Sequence, residues 1–234
     1  MTFLDYCLMP TLSLRTAEAH DAEAIAAIYN HEVENETSTF DLVPRTVDEQ
    51  RDWLAVRTGA FSVIVAQDSD LGVIGFAALS TYRDRAGYRT TVENSIYVRR
   101  DQQRRGVGRL LLTQLLDVAR DSGFHTVIAR IEATSTASIA LHESLGFAMV
   151  GVERQIGRKL GRWLDSAIMQ LILSSALTEK PLTMLPKPPA VELCRHISPP
   201  LLTLGPKSCG HSVIYLGSNL DEIIDDKPSP LIHK

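Results

Sequence analysis

Gln103-Arg104-Arg105-Gly106-Val107-Gly108 sets two arginines and two glycines between an apolar run and an amphipathic one. Glycine at 106 and 108 keeps side chains out of the turn, so successive backbone N–H groups can face one point. A helix starting here presents unpaired N–H groups and a partial positive charge at that point. Arg104 and Arg105 add full charges to it. The combination suits a polyanion such as a pyrophosphate. The competing reading is a flexible turn ahead of a solvated helix. A dinucleotide-binding fingerprint needs a third glycine at position 111, where this chain has Leu111. Upstream, Glu93 is the one acid in the run Thr91–Val98.

These residues need a strand to lead in and a helix to lead out. Val92, Ile96 and Val98 are β-branched and Tyr97 is aromatic, so Thr90–Val98 reads as a strand. Leu110, Leu111, Leu115, Val118 and Ala119 form the apolar stripe of a helix from Gly106 to about Ser122, which Gly123 ends. Before them, Thr11–Arg15 suits a strand, and Asp21 is the expected cap of a helix running to about Val33. The polar loop Asn35–Pro44 carries an isolated Phe40, and Thr46 caps a second helix. Phe61–Ala66 and Val73–Leu79 suit a hairpin turning at Asp68-Ser69-Asp70, and the loop Ser80–Arg89 follows. After the central helix come a strand at Thr126–Glu132 and a shorter helix capped by Ser135 or Thr136 and closed by Gly146. Last come strands within Phe147–Val152 and Trp163–Leu173, separated by a basic loop, Arg154–Arg162. This order implies an α/β domain with a mixed sheet.

The 234 residues, 44% apolar and 22% charged, have the composition of a soluble chain. A net charge of −4 argues against bulk nucleic-acid binding, so the arginines at 99–109 read as a local site. No apolar run is long enough to cross a bilayer, and the first twelve residues contain no Lys or Arg; cytoplasm is the expected compartment, with Met9 a second candidate start. Cys7, Cys194 and Cys209 leave residues 14–173 without a thiol and suggest no disulfide framework. The histidines show no metal-ligand spacing, so no metal is expected. Nine of the eleven prolines lie beyond Lys180. Residues 174–234 therefore read as a mostly irregular tail with one short apolar segment at Val213–Leu216, and 1–11 as an N-terminal extension.

Four stretches carry a resemblance: Gly87–Val98, Gln103–Gly108, Ser138–Phe147 and Gly161–Leu171. Together, across residues 12–173, they resemble the GNAT acetyltransferase superfamily, and within it the phosphinothricin and methionine-sulfoximine N-acetyltransferase branch. The resemblance implies a GNAT fold: a central, mixed, mostly antiparallel sheet flanked by helices. It implies transfer of acetyl from acetyl-CoA, as co-substrate, to the primary amine of a small amino acid or a toxic analogue of one. A small-molecule amine is the expected partner, and the resemblance leaves room for a homodimer.

Residue by residue, Ile96, Tyr97 and Val98 match the strand whose backbone pairs with the pantetheine arm. That arm contains amides and can be bound as an added strand would be. Arg104, Arg105, Gly106, Val107, Gly108 and Arg109 match the pyrophosphate loop. Ser135 stands where related sequences often have Asn; it can cap a helix or bond a cofactor oxygen, without the amide's paired donor and acceptor. Glu93 matches the general base that takes the ammonium proton; the competing reading is a structural or solvent-facing acid. Arg83, Asp84 and Arg85 match the loop bordering the acceptor, where a guanidinium can grip a carboxylate or phosphinate. Asn94 and Ser95 flank the base, with backbone groups that can touch the acceptor, and Phe40 is a candidate apolar wall. His142, in the family's His-Glu pair with Glu143, is expected on a helix surface in a structural role. Many members use a tyrosine in this region to protonate the leaving thiolate; none occurs between Tyr97 and Tyr215. With no thiol in the domain, direct attack in a ternary complex is expected over an acetyl-enzyme. Two rival readings are a protein or peptide N-terminal acetyltransferase and a catalytically silent CoA-binding module.

Overall fold

The computed structural model describes residues 12–173. The expectations for 1–11 and for 174–234, with Val213–Leu216 and all three cysteines, fall outside them. Within the described residues, seven strands make one sheet: β1 (Leu12–Thr16), β2 (Ile64–Asp68), β3 (Gly72–Thr81), β4 (Thr91–Val98), β5 (Thr126–Glu132), β6 (Ala148–Lys159) and β7 (Arg162–Ile172). They lie in the order β1-β2-β3-β4-β5-β7-β6. Every neighbouring pair is antiparallel except β4 with β5. The helices are α1 (Ala22–Asn35), α2 (Val47–Ala55), α3 (Val107–Asp121) and α4 (Thr136–Glu143).

Side-chain alternation along β4 sorts the two layers. Val92, Ile96 and Val98 point into a core built with Leu111, Leu112, Leu115 and Leu116 of α3, with Ile139 and Leu141 of α4 packed at its margin. Tyr97 points the other way, toward Ile25, Ile28, Tyr29 and Val33 of α1 and Phe76 of β3. Each fully buried leucine contributes roughly 1.5–3 kcal/mol relative to an exposed one. The stripe on α3 differs from the sequence reading: Leu110 is exposed, while Leu112 and Leu116 are buried. The run Leu110-Leu111-Leu112 offers apolar side chains to three directions at once, so periodicity alone left the orientation open by about one residue.

Capping follows local chemistry in one helix and not in another. Thr46 Oγ1 accepts from the Glu49 N–H at 3.2 Å, and Glu49 returns the bond to the Thr46 N–H at 2.7 Å, so α2 starts with a capping box. Asp21, the expected cap of α1, makes no side-chain cap bond. Its buried carboxylate instead accepts the Arg15 fork at 2.7 and 2.8 Å and the Glu18 N–H at 2.7 Å. A two-pronged cation is a stronger partner for an ionised acid than a backbone amide.

The expected basic loop Arg154–Arg162 is not a loop. β6 runs on to Lys159, the turn is Leu160-Gly161 with φ of 48° and 77°, and β7 begins at Arg162. Two left-handed residues match the twist of a tight hairpin. β6 is an edge strand, so its ladder forms through the backbone while Arg154 and Arg158 remain exposed, and the charge that suggested a loop is compatible with pairing. Irregular pairing around Glu153–Gly157, with Gln155 at φ 50°, bends the hairpin.

Candidate active site

β4 and β5 pair only from Thr91–Asn94 against Thr126–Ala129. Beyond that point β4 continues beside β3 alone, and β5 continues beside β7. The strands part at Asn94. On their β5 side, the backbone groups of Ser95, Ile96, Tyr97 and Val98 have no strand partner among the described residues. This is an internal edge that can accept an extended, amide-bearing ligand.

Glu93 lies on the α1 side of the fork. Its carboxylate is 30% exposed, so it is reachable yet largely desolvated. Burial raises its pKa above the usual carboxylate value; Arg130 at 3.9 Å pulls it down, and Glu153 pushes it up. Arg130 is held closer to Glu153, at 3.0 Å. The guanidinium therefore stands between two acids and leaves Glu93 the less tightly paired one, and burial makes it take up a proton more readily than an exposed carboxylate does.

Asn94 points to the opposite face and is buried. Its amide nitrogen is 3.0 Å from His142 Nε2, while His142 Nδ1 is 2.8 Å from the Ser138 carbonyl. A carbonyl only accepts, so Nδ1 carries the hydrogen and Nε2 accepts from Asn94. Burial lowers the His142 pKa below 6.5, which keeps the ring neutral. His142 is thus buried and joined to the central strand, not placed on a helix surface as the sequence suggested. In this tautomer Nε2 has no hydrogen to give to a leaving thiolate.

The other anticipated cofactor residues lie along the turn from β4 into α3. Arg104 and Gly106 adopt left-handed φ values of 62° and 80° on either side of Arg105. Gly108 faces α4: a Cβ there would stand 3.3 Å from Leu141 and 3.9 Å from Val98. Val107 is buried in the core below. Arg105 spans to Asp68 at 3.1 Å and also bonds Gln102, and Arg109 donates to Ser144 at 2.8 Å. Ser135 is the N-cap residue of α4 and makes no side-chain cap bond. Asn94 Oδ1 is buried without a hydrogen-bond partner among the described residues. The open strand edge, the left-handed turn at a helix start and this unmet acceptor fit a cofactor with amides and a pyrophosphate. Among the described residues, no group of three or more His, Cys, Asp or Glu could hold a metal ion. No helix among them is long and apolar enough to cross a membrane.

Arg83, Asp84 and Arg85, expected to border the acceptor, are exposed in the β3–β4 connection, at the same end of the sheet as Glu93. The Arg83 guanidinium lies 5.0 Å from the Tyr82 ring and 5.7 Å from the Tyr88 ring. Ser95 shares the face of Glu93, two residues on. Phe40 lies against Gly157 of β6, where a Cβ would come within 3.0 Å of the ring. The loop holding Phe40 is tied down by Lys159, whose buried ammonium donates to the carbonyls of Glu32 at 2.9 Å and Thr39 at 2.8 Å. Arg100 grips Glu32 at 2.8 and 2.6 Å from the other side.

Sequence reasoning missed Arg130, Glu153, Lys159 and Arg57. Arg130 had a signal: it is the lone cation within the otherwise apolar centre of β5. Lys159 lies within the stretch read as a loop, and Glu153 immediately before it. Arg57, just after α2, had no motif around it.

Residues 14–168 match the model of the GNAT acetyltransferase domain. The chain is 42% identical, over 163 residues, to the L-amino acid N-acyltransferase MnaT of Escherichia coli K12, covering 69% of this chain and 94% of that one. A phosphinothricin acetyltransferase from Sinorhizobium meliloti, solved in complex with acetyl-CoA, superposes with a TM-score of 0.69 at 38% identity. That match covers 73% of this chain and 93% of the other. A ribosomal-protein-alanine N-acetyltransferase from Brucella melitensis gives 0.67 at 40% identity, over 69% and 99%. The chain belongs to the GNAT acetyltransferase family.

Proposed function

We propose that this enzyme moves acetyl from acetyl-CoA to the primary amine of a small amino acid or a toxic analogue of the phosphinothricin or methionine-sulfoximine type. The observation that carries the reading is the parting of β4 from β5 with Glu93 half-buried beside it. Acetyl-CoA supplies an acetyl group activated as a thioester. The open edge of Ser95–Val98 would hold its amide-bearing arm, and Arg104, Arg105, Gly106, Val107, Gly108 and Arg109 its pyrophosphate, with Ser135 and the Asn94 carboxamide as further polar contacts. Glu93 would accept the ammonium proton, directly or through water, and so expose the lone pair that attacks the thioester carbonyl; the amide C–N bond forms as the C–S bond breaks, and CoA leaves with the nitrogen's second proton as its thiol. No cysteine lies between residues 14 and 173, which favours direct transfer within a ternary complex. We place the working unit at residues 12–173 and the enzyme in the cytoplasm, on its composition and charge.

A second reading, acetylation of a protein N terminus, is favoured by the name of the Brucella relative. An acetyl-CoA consumption assay over free amino acids, methionine sulfoximine, phosphinothricin, polyamines and short peptides separates the two. Turnover with the small amino acids and not the peptides is expected. Turnover with peptides alone would transfer the proposal to the second reading, and none with any amine would leave a silent module.

A further inference from the structure

Among the described residues, no acid balances the half-buried guanidinium of Arg57. The other half-buried arginines among the described residues each have one: Arg15 pairs with Asp21, Arg45 with Asp41 and Arg99 with Asp101. Arg57 donates only to neutral oxygens, the Leu79 carbonyl at 2.7 Å and Ser80 Oγ at 3.0 Å, and its charge lies 4.0 Å from the centre of the Trp53 ring. Burial, with a smaller push from nearby Arg45, brings its pKa down to about 10. It remains charged at neutral pH at a cost in solvation that no carboxylate of the described residues offsets. Two of its N–H groups are engaged, out of the five a guanidinium carries.

Its position gives the charge a use. Ser80 on β3 is the direct partner of Glu93 on β4, so the two side chains share a face. Facing pairs stand ~5 Å apart. The cation held by Ser80 is therefore one strand away from the proposed base. In an α-amino acid the amine and a carboxylate oxygen are about 3 Å apart. An amine turned toward Glu93 thus carries its own carboxylate into the region of Arg57. The exposed Arg83 and Arg85 remain for the distal group of the acceptor.

Resting on the acceptor reading above, we infer that Arg57 is a specificity-determining ligand for the α-carboxylate of the acceptor. The enzyme then selects free amino acids over carboxamides and peptide N termini, whose carbonyl group bears no charge. The purely structural alternative is a clamp that holds the exit of α2 against the end of β3, and it predicts no such selection.

The test compares L-methionine sulfoximine with its α-carboxamide in wild type, Arg57→Gln and Arg57→Lys, each checked for a cooperative melt. A charge-assisted hydrogen bond is worth about 1.5–3 kcal/mol, so wild type should prefer the acid by ~10–100-fold in kcat/KM. In Arg57→Gln that preference should fall to within about threefold through a higher KM for the acid, with the KM for acetyl-CoA and the rate on the carboxamide unchanged. Arg57→Lys keeps the charge without the fork and should fall between. The variant's ratio is the decisive reading, because amidation also changes the basicity of the amine. Equal losses on both compounds would assign Arg57 to the clamp and overturn the inference. Should Arg57→Gln fail to fold, a wild type that takes the carboxamide as well as the acid overturns it equally. Acetylation of the carboxamide alone sinks the role of Arg57 and leaves acetyl transfer standing. Acetylation of neither sinks the acceptor reading, and this inference with it.

Discussion

The two faces of β4 carry opposite kinds of polar chemistry. Toward α1, Glu93 is ionisable, partly exposed and loosely held by Arg130 at 3.9 Å. Toward α3 and α4, Asn94 is buried and directed at a neutral histidine 3.0 Å away. One face keeps a group whose protonation can change; the other excludes charge and fixes an orientation. A strand supplies both because neighbouring side chains point to opposite sides of the sheet. The parting from β5 at Asn94 places both faces beside the same open backbone edge. The contrast suggests that proton transfer and cofactor positioning can be damaged separately.

The largest effect should come from the charged face. Glu93→Gln keeps shape and removes the proton acceptor, so turnover at neutral pH should fall about 10²–10⁴-fold while acetyl-CoA affinity holds. The deficit should shrink as pH rises and the amine arrives already neutral. Turnover against pH at saturating acetyl-CoA checks this, and equal rates near pH 7 would remove Glu93 as base. On the neutral side, Gly108→Val would crowd Leu141 and Val98. Acetyl-CoA affinity should drop about tenfold, corresponding to ~1.4 kcal/mol, as read by calorimetry on a folded variant. Unchanged affinity would break the assignment of this face to the cofactor.

His142→Gln tests whether the neutral face depends on an uncharged ring. Burial holds the folded-state pKa of His142 below 6.5, so the unfolded chain binds the proton more readily. Wild-type stability should therefore decline as pH falls below about 6.5 and level off once it is below the folded pKa as well. Gln cannot titrate, and the variant should lose that part of the slope in denaturant melts at a series of pH values. An unaltered slope would mean that His142 is as accessible to protons folded as unfolded. The smallest effect sharpens the charged face: Arg130→Gln removes the cation that lowers the Glu93 pKa. The acid limb of the kcat/KM profile should move to higher pH, and Glu153→Gln should move it lower. A limb that stays in place in both would show that Glu93 does not set it.

Much of this arrangement was legible in the chain. The strand 91–98 with Glu93, the glycines at 106 and 108, and the Thr46 cap are local patterns. Each depends on residues within a few positions of one another. Errors arose where a distant partner decides the outcome. Asp21 makes no cap bond to α1 because its carboxylate is taken by the Arg15 fork and by the Glu18 N–H ahead of the helix. Arg154–Lys159 joins a strand because β7 supplies hydrogen-bond partners that the charged sequence does not advertise. His142 is buried because α4 lies over the central strands, and an eight-residue helix of weak periodicity does not reveal which face it turns inward.

The sequence by itself determined the succession of elements, the strand that bears the acid and the glycine turn that follows it, because spacing, branching and glycine placement act over short range. Only the tertiary structure decided what surrounds Glu93. Arg130 comes from β5, Glu153 from β6, and Arg57 reaches Ser80 from beyond the end of α2. Charges act through space, across strands that are neighbours in the sheet and far apart along the chain. The proton affinity of an acid therefore follows from which distant residues the fold sets beside it and how much water it excludes.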